Sequence, residues 1–163
     1  MPVHPTVKTL GRSIVPQVVK YASHAILHVA SDRYDQLTYV TWKISGLPSS
    51  QVIGSGTVLD TSRLRYLLSE HTGVDARDVS AWVLGEHGDG EFVAWSRASI
   101  AGLSLDEYCA ACGRCRGPMS EQVNRQFEQE VRRAAYEIID MKGSTCYAIA
   151  LAVRRIAEAI LRY

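Results

Sequence analysis

The first half of the sequence alternates short apolar runs with segments of helical periodicity. Residues 25–30, 51–54 and 79–84 are apolar runs of strand length, whereas residues 34–45 and about 60–68 repeat apolar side chains at helical spacing. A chain that passes from strand to helix to strand forms an α/β sheet, and strands joined through helices are parallel. We therefore predict an α/β fold with a parallel sheet in the first half.

The other segments are predicted to be mainly helical. Residues 6–22 have helical spacing, and Pro16 is expected to interrupt or kink that helix. Residues 92–95 form a further extended segment, and the final third of the chain indicates two helices, about 120–141 and 144–161. The apolar stripe of the last helix is typical of a core or a subunit interface; its members are Ile149, Ala152, Val153, Ile156 and Ile160.

Composition is consistent with one core and indicates no strong charge preference. The 163 residues are 47% hydrophobic, and 18 basic against 17 acidic side chains give a net charge of +1. This near balance argues against nucleic acid or an anionic membrane as a partner. Residues 1–5 do not resemble a secretory signal, and no uninterrupted apolar run reaches membrane-spanning length. We expect a cytoplasmic protein.

Residues 85–91, GEHGDGE, place a histidine in a glycine-flanked turn with carboxylates on both sides. Histidine exchanges a proton near neutral pH, and the glycines permit a sharp turn with room for a ligand. A loop histidine between strands is the simpler interpretation of His87 alone. Asp60 and Arg63, on one face of a helix, and Thr145 favour a functional interpretation, because the set supplies a base, a carboxylate, a guanidinium and a hydroxyl.

Three of the four cysteines form a C-x-x-C-x-x-C motif at Cys109, Cys112 and Cys115, and Cys146 lies further along the chain. This spacing can bind zinc or an iron–sulfur cluster. The surrounding residues are predicted to form a flexible basic loop, and no histidine is near them in the sequence. We therefore expect free thiols, with no metal and no disulfide.

Long motifs cover much of the chain: VASD at 29–32, LTYVTWK at 37–43, VIGSGTVLDTSRLRYLL at 52–68 and GEHGD at 85–89. These segments resemble bacterial NAD-dependent L-lactate dehydrogenases, of the lactate/malate dehydrogenase family. The resemblance extends from about Ile14 to the end of the sequence and weakens over residues 103–120. Glu86 and the Trp95–Ser96 pair favour lactate over malate dehydrogenase.

The resemblance implies a partial version of that family's fold. Residues 1–57 correspond to a remnant of the NAD-binding Rossmann domain, and residues 58–163 to part of the substrate-binding, catalytic domain. No G-x-G-x-x-G motif is present, so we expect a partial Rossmann-type parallel sheet without its first nucleotide-binding half. The final strands and helix of the catalytic domain are also expected to be absent, and the chain alone is expected to reduce pyruvate weakly.

The resemblance also implies a reaction and its residues. The chain is expected to interconvert pyruvate and L-lactate with NAD as cofactor, as part of a homo-oligomer, typically a tetramer. His87 corresponds to the catalytic acid/base, Asp60 to the carboxylate that orients it, and Arg63 to the group that binds the substrate carboxylate. Thr145 corresponds to a threonine that contacts the substrate.

Other family positions match residues near the cofactor and the substrate. The implied cofactor contacts are Ala30, Ser31, Asp32, Ser55 and Ile149. Asp32 and Asp35 also belong to a substrate-binding segment that is Asn-Pro-Val-Asp in the family and Asp-Arg-Tyr-Asp here. An ionised Asp32 only accepts hydrogen bonds and would repel a substrate carboxylate, and Arg33 replaces a proline that fixes the turn.

Allosteric members of the family bind fructose 1,6-bisphosphate through an arginine and a histidine. Arg65 corresponds to the arginine, whereas Ser80 stands in place of the histidine. The resemblance therefore implies an activator contact at Arg65, and Ser80 argues against this regulation.

Three classes of function remain open. The first is the dehydrogenase, with malate as an alternative substrate. The second is a non-catalytic fragment or interaction module derived from the same family, and the third is a zinc- or cluster-binding module at the cysteines.

Overall fold

A strand, a helix and a second strand form the centre of the first of two structural units. The computed structural model describes residues 9, 13–31, 33–115 and 117–162. The first unit contains the described residues up to Gly56 and those from Arg155 onward, and the second contains Thr57–Arg154. None of the helices in these described ranges is long and apolar enough to cross a membrane.

The first unit is built on a βαβ motif. Helix α1 (Val15–Tyr21) precedes strand β1 (Leu27–Val29), helix α2 (Tyr34–Ser45) and strand β2 (Val52–Gly54). The two strands are parallel and pair over their whole length. The predicted parallel arrangement is confirmed for these two strands.

Helix α2 has the bounds that the sequence predicts. It begins after Arg33, which has a φ of 63°, and ends at Gly46 in the left-handed conformation. Leu37 on its inner face is buried. Gly54 permits close approach of helix and strand, because a Cβ there would lie 2.4 Å from Thr38 Oγ1.

Helix α1 is shorter than the helix predicted over residues 6–22. Pro16 lies in its first turn, where the backbone N–H has no helical partner to lose. The α-helix therefore begins next to the proline, after a π-helical turn at Ser13 and Ile14, and this agrees with the predicted interruption. Residues 6–8 and 10–12 of the predicted helix lie outside the described residues.

The second unit places short antiparallel strands beside helix α3 (Val58–Thr72). In chain order these strands are β3 (Val79–Ser80), β4 (Val83–Gly85), β5 (Glu91–Val93), β6 (Ser99–Ile100) and β7 (Leu103–Ser104). Strands β3, β6 and β7 form one sheet, and β4 and β5 form a hairpin. The prediction of one continuous strand over residues 79–84 is wrong, because β3 and β4 have different partners.

Helices α4 (Leu105–Ala111), α5 (Glu121–Lys142) and α6 (Tyr147–Arg162) follow. The two long helices confirm the predicted helical final third. Helix α4 lies where a flexible loop was expected, so that prediction is wrong for Cys109. A capping box between Ser104 and Glu107 begins this helix, because each side chain binds a backbone N–H of the other residue.

The core of the second unit joins α3, the strands and helices α4 and α5. Leu64 and Leu68 of α3 are fully buried, and each such side chain stabilises the fold by about 2 kcal/mol. They pack in one cluster with Val79, Ala81, Val83, Val93, Ala98, Ile100, Leu105, Cys109, Cys115, Phe127 and Val131. The cluster fixes α3 relative to the hairpin that follows it.

Candidate active site

The hairpin loop between β4 and β5 carries His87. Gly85, at the end of β4, has a φ of 93°, and a Cβ at this position would lie 2.5 Å from the carbonyl oxygen of Gly90. Only glycine meets both conditions without strain, because other residues rarely adopt this φ and would collide with the opposite strand. The glycine thus closes the loop tightly around the histidine.

Two threonines attach strand β4 to the first turn of α3. The Thr57 hydroxyl donates to the carbonyl oxygen of Val83 at 2.7 Å, and the Val83 N–H donates to Thr61 Oγ1 at 3.0 Å. Asp60 lies between these threonines on the same turn. The base of the hairpin and the carboxylate are therefore held on one framework.

Asp60 is completely buried and bonds to both of its predicted partners. His87 Nδ1 donates to Asp60 Oδ2 at 2.6 Å, and Arg63 Nη1 donates to Asp60 Oδ1 at 3.2 Å. The predicted hydrogen bond between His87 and Asp60 is present. Thr57 occupies the N-cap position, so Asp60 lies within the first turn, where a negative charge is favoured by the helix dipole.

The surroundings of His87 favour its protonated form. The hydrogen bond to Asp60 raises the pKa of His87 above its ordinary value, and the negative charges of Asp60 and Glu91 act in the same direction. Partial burial of the ring and the nearby Arg63 cation oppose this rise. The net result is an imidazolium that persists to higher pH than in an unstructured chain.

Glu91 is a second buried carboxyl beside His87 that the site prediction missed. Its Oε2 lies 3.8 Å from His87 Nδ1 and accepts a hydrogen bond from the Gly88 N–H. Burial and the charge of Asp60 raise the pKa of Glu91 to about 7. Glu91 belongs to the GEHGDGE segment, which was the available signal, but only the hairpin shape turns its side chain toward the histidine.

Asp60, His87 and Glu91 also offer three ligand atoms within 4.8 Å of one another. Such a set can bind a divalent cation. The Arg63 guanidinium already bonds to Asp60, and its positive charge opposes a metal at this position. The arrangement is better suited to proton transfer.

Thr145 and Ile149 lie further along the second unit. Thr145 is half-buried in the segment between α5 and α6, and Ile149 is half-buried on α6. In the part of the chain that the structure describes, neither side chain hydrogen-bonds or ion-pairs with Asp60, Arg63 or His87. Their contacts with substrate and cofactor stay predictions.

Residues assigned to the cofactor in the first unit lie at the carboxyl ends of β1 and β2. Ala30 and Ser31 are exposed and directly follow β1. Ser55 directly follows β2 and is buried, and its hydroxyl lies 3.0 Å from His28 Nε2. Burial lowers the pKa of His28, which is consistent with its interpretation as a packed histidine.

The substrate segment in the first unit is described in part. Asp32 lies outside the described residues, and Asp35 is half-buried in the first turn of α2. Asp35 lines a cavity of about 310 Å³ with Thr38, Tyr39 and Trp42. Its predicted role is not tested by these contacts.

Arg65 has contacts of its own within the second unit. Its Nε donates to the carbonyl oxygen of Ala81 at 3.0 Å, and its guanidinium lies 5.3 Å from the centre of the Trp82 ring. Ser80 is half-buried in β3 and pairs with Ser99. Arg65 thus supports the segment between β3 and β4, and its activator-binding role stays a prediction.

Comparison with known families agrees with this geometry. Residues 57–163 match the family described as lactate/malate dehydrogenase, alpha/beta C-terminal domain. The chain belongs to the lactate/malate dehydrogenase family. Within this family the matched region begins at the N-cap of α3 and includes Asp60, Arg63 and His87.

Close relatives of this lactate/malate dehydrogenase chain are bacterial enzymes. An L-lactate dehydrogenase of Clostridium perfringens is 55% identical over 152 residues, which cover 93% of this chain and 47% of the relative. Those of Acetivibrio thermocellus and Thermoanaerobacterium saccharolyticum are 56% and 53% identical over 93% of this chain. The chain spans about half the length of the curated relatives it matches.

Proposed function

We propose that this chain carries the proton-transfer and substrate-carboxylate sites of an NAD-dependent L-lactate dehydrogenase. The observation that supports this most directly is the 2.6 Å hydrogen bond between His87 Nδ1 and the buried Asp60 carboxylate, with Arg63 on the same carboxylate. The names of the relatives supply the reaction, the interconversion of pyruvate and L-lactate.

His87 is the acid and base of the proposed reaction. Because Nδ1 is engaged with Asp60, the proton is exchanged with the substrate through Nε2. An imidazolium at Nε2 hydrogen-bonds the carbonyl oxygen of pyruvate, polarises it, and donates its proton as the oxygen becomes a hydroxyl. Asp60 orients the ring and stabilises its positive charge throughout.

Arg63 provides the positive charge for the substrate carboxylate. A guanidinium can bind a carboxylate through two parallel hydrogen bonds, a geometry that lysine does not reproduce. The Arg63 side chain is 13% exposed, and its guanidinium is held by the bond from Nη1 to Asp60. The same buried carboxylate therefore positions the proton donor and the anion-binding group.

The first unit fits the nicotinamide side of NAD. Nucleotides bind beyond the carboxyl ends of parallel strands, where Ala30, Ser31 and Ser55 follow β1 and β2. These residues would hold the cofactor, which when bound as NADH supplies the hydride that reduces the carbonyl carbon.

The remaining features follow from the proposed reaction. The substrate is the small 2-oxo acid pyruvate or its product, in the fermentation step that ends glycolysis, and the compartment is the cytoplasm. Assembly as a homo-oligomer, typically a tetramer, is proposed on the same basis.

Binding of pyruvate to the 163-residue chain in the presence of NADH tests this proposal by calorimetry or NMR. We expect the affinity to decrease as pH rises through the pKa of His87, because only the imidazolium donates to the carbonyl. Arg63→Lys should weaken binding by about 10- to 100-fold, the equivalent of one charge-assisted hydrogen bond. Arg77→Lys, in an exposed ion pair with Asp75, is the matched control and should bind like the unchanged chain.

A non-catalytic member of the family is the alternative, which the Asp32 and Arg33 departures favour. Steady-state oxidation of NADH with pyruvate distinguishes the two, with oxaloacetate as the substrate for a malate dehydrogenase. A slow rate that is lost in His87→Gln supports the dehydrogenase. A pyruvate affinity that changes neither with pH nor with the Arg63 substitution contradicts the dehydrogenase proposal.

A further inference from the structure

The fold of the second unit brings the three cysteines of the C-x-x-C-x-x-C motif beside a histidine that is far from them in the sequence. His71 lies in the last turn of α3, Cys109 lies in α4, and Cys115 follows that helix. A ring nitrogen of His71 and the sulfur atoms of Cys109 and Cys115 all lie within 4.8 Å of one another. Cys112 lies nearby, because its thiol is 3.8 Å from the carbonyl oxygen of Thr72, the residue after His71.

The surroundings of these four residues are typical of a closed site. Cys109 is completely buried and Cys115 is 9% exposed, within the core cluster. The His71 ring lies edge-on to Phe127, with 5.5 Å between ring centres, which restrains its orientation.

Cys112, at the end of α4, lies close to the end of α3. The Cys112 thiol donates to the carbonyl oxygen of Thr72 at 3.8 Å, which places its sulfur beside the residue that follows His71. Cys112 is therefore held close to the end of α3, where it can act as a fourth ligand.

We propose that His71, Cys109, Cys112 and Cys115 form a structural zinc site. Zinc in closed sites is tetrahedral and takes Cys₃His ligand sets, with Zn–S bonds of about 2.3 Å. The corners of such a tetrahedron are about 3.8 Å apart, so the ligand atoms of His71, Cys109 and Cys115, which already lie within 4.8 Å of one another, need to move by about 1 Å or less. The Cys112 side chain would then turn toward them to supply the fourth ligand. This proposal is independent of the dehydrogenase reaction and replaces the expectation of free thiols.

The ligand set and its charge fit one zinc ion. Ligand atoms that share one centre bind a single ion, whereas the cysteines of an iron–sulfur cluster bind separate irons. Three thiolates and Zn²⁺ leave a net charge of −1. Arg114 lies beside the site, where its Nη2 donates to the carbonyl oxygen of Glu70 at 3.0 Å, and its positive charge balances the excess.

With four protein ligands the ion has no open position for a substrate, so its role is to hold the fold together. It joins the end of α3, helix α4 and the turn at residues 112–115 by coordinate bonds. Zinc removal should therefore loosen the end of α3 that is opposite to Asp60.

Metal analysis of the full chain, after equilibration with zinc alone and removal of excess ion, tests the proposal. We expect one zinc per chain, and thiol titration with a colorimetric reagent should detect one reactive cysteine, Cys146, instead of four. Cys109→Ser and His71→Ala should each lower zinc affinity by more than about 100-fold, since even groups that only support a ligand contribute 10- to 100-fold. Cys146→Ser is the matched control, because Cys146 is exposed and lies outside the cluster.

Cobalt substitution of the unchanged chain keeps the proposal testable if a variant fails to fold. Tetrahedral sulfur coordination gives intense visible absorption that octahedral or aqueous cobalt lacks, and it should shift in His71→Ala. Less than stoichiometric zinc, an iron–sulfur chromophore, a Cys112–Cys115 disulfide in place of metal, or equal metal loss in Cys146→Ser would each overturn the assignment.

Discussion

Asp60→Asn tests the candidate active site most directly, because it removes a charge and keeps the shape of the side chain. Asp60 is completely buried and accepts hydrogen bonds from His87 at 2.6 Å and Arg63 at 3.2 Å. A charge-assisted hydrogen bond is worth roughly twice the ~1 kcal/mol of a neutral one. Loss of the charge should therefore cost about 1 kcal/mol at each bond, or about 2 kcal/mol in total at low pH.

The cost should depend on pH in a definite direction. The pKa of His87 is raised in the folded chain, so the stability it contributes is complete below its unfolded value of 6.5 and is lost as pH rises through the folded pKa. Asp60→Asn should lower the pKa of His87 and should destabilise the chain more below about pH 5.5 than above about pH 9. The two effects are linked, because each pKa unit corresponds to about 1.4 kcal/mol.

Two measurements check this link independently. NMR titration of the His87 ring gives its pKa, and urea denaturation at low and high pH gives the free energy of unfolding. Asp60 also raises the pKa of Glu91, so both measurements are made in a Glu91→Gln background, in which residue 91 does not titrate. Asp75→Asn, at an exposed carboxylate, is the control. An unchanged pKa of His87, or a stability loss equal at both pH values, would refute the assignment of Asp60 as its partner.

Two further substitutions test the hairpin. Gly85→Ala combines an unfavourable φ with a contact of 2.5 Å to Gly90 and should destabilise the fold by about 2–4 kcal/mol in urea denaturation. Gly88→Ala is the control, because Gly88 has a φ of 102° but open space around it, and it should cost only about 1–2 kcal/mol. Equal costs for the two variants would contradict the proposed collision. Glu91→Gln should leave stability unchanged below about pH 4.5 and increase it by about 1–2 kcal/mol above pH 7, since a carboxyl with a raised pKa destabilises the folded chain as it ionises. A pH-independent effect of Glu91→Gln in thermal melts would show that Glu91 is not buried as an acid.

Local signals predicted the elements that depend on nearby residues. Helix α2 was predicted with its observed bounds because its buried residues recur at helical spacing and Gly46 ends it. The break between β3 and β4 was not predictable from an apolar run, because it depends on pairing with β6 and β5. Helix α4 could have been predicted, since Ser104 and Glu107 have the spacing of a capping box.

The site shows the same division between local and distant information. Helical spacing predicted the Asp60–Arg63 pair, whereas the Asp60–His87 bond spans 27 residues and was expected only through the family resemblance. Neither the local sequence patterns nor the family resemblance predicted the position of His71 beside the cysteines, because it depends on how α3 and α4 pack. The contact of Arg132, whose guanidinium donates to the backbone of Glu91 from 41 residues away, was not predictable from the sequence either.

The hydrogen bond from the Val83 N–H to Thr61 Oγ1 gives the site a built-in reporter. This amide is protected from solvent by a hydroxyl on α3 in addition to the strands around it, so its exchange with deuterium requires the strand to part from the helix. Slow exchange at Val83 would mean that Asp60 and the hairpin separate only when the whole unit unfolds. Faster exchange at Val83 than at the core residue Leu64 would instead reveal a local opening that uncouples the acid from its carboxylate while the rest of the fold persists.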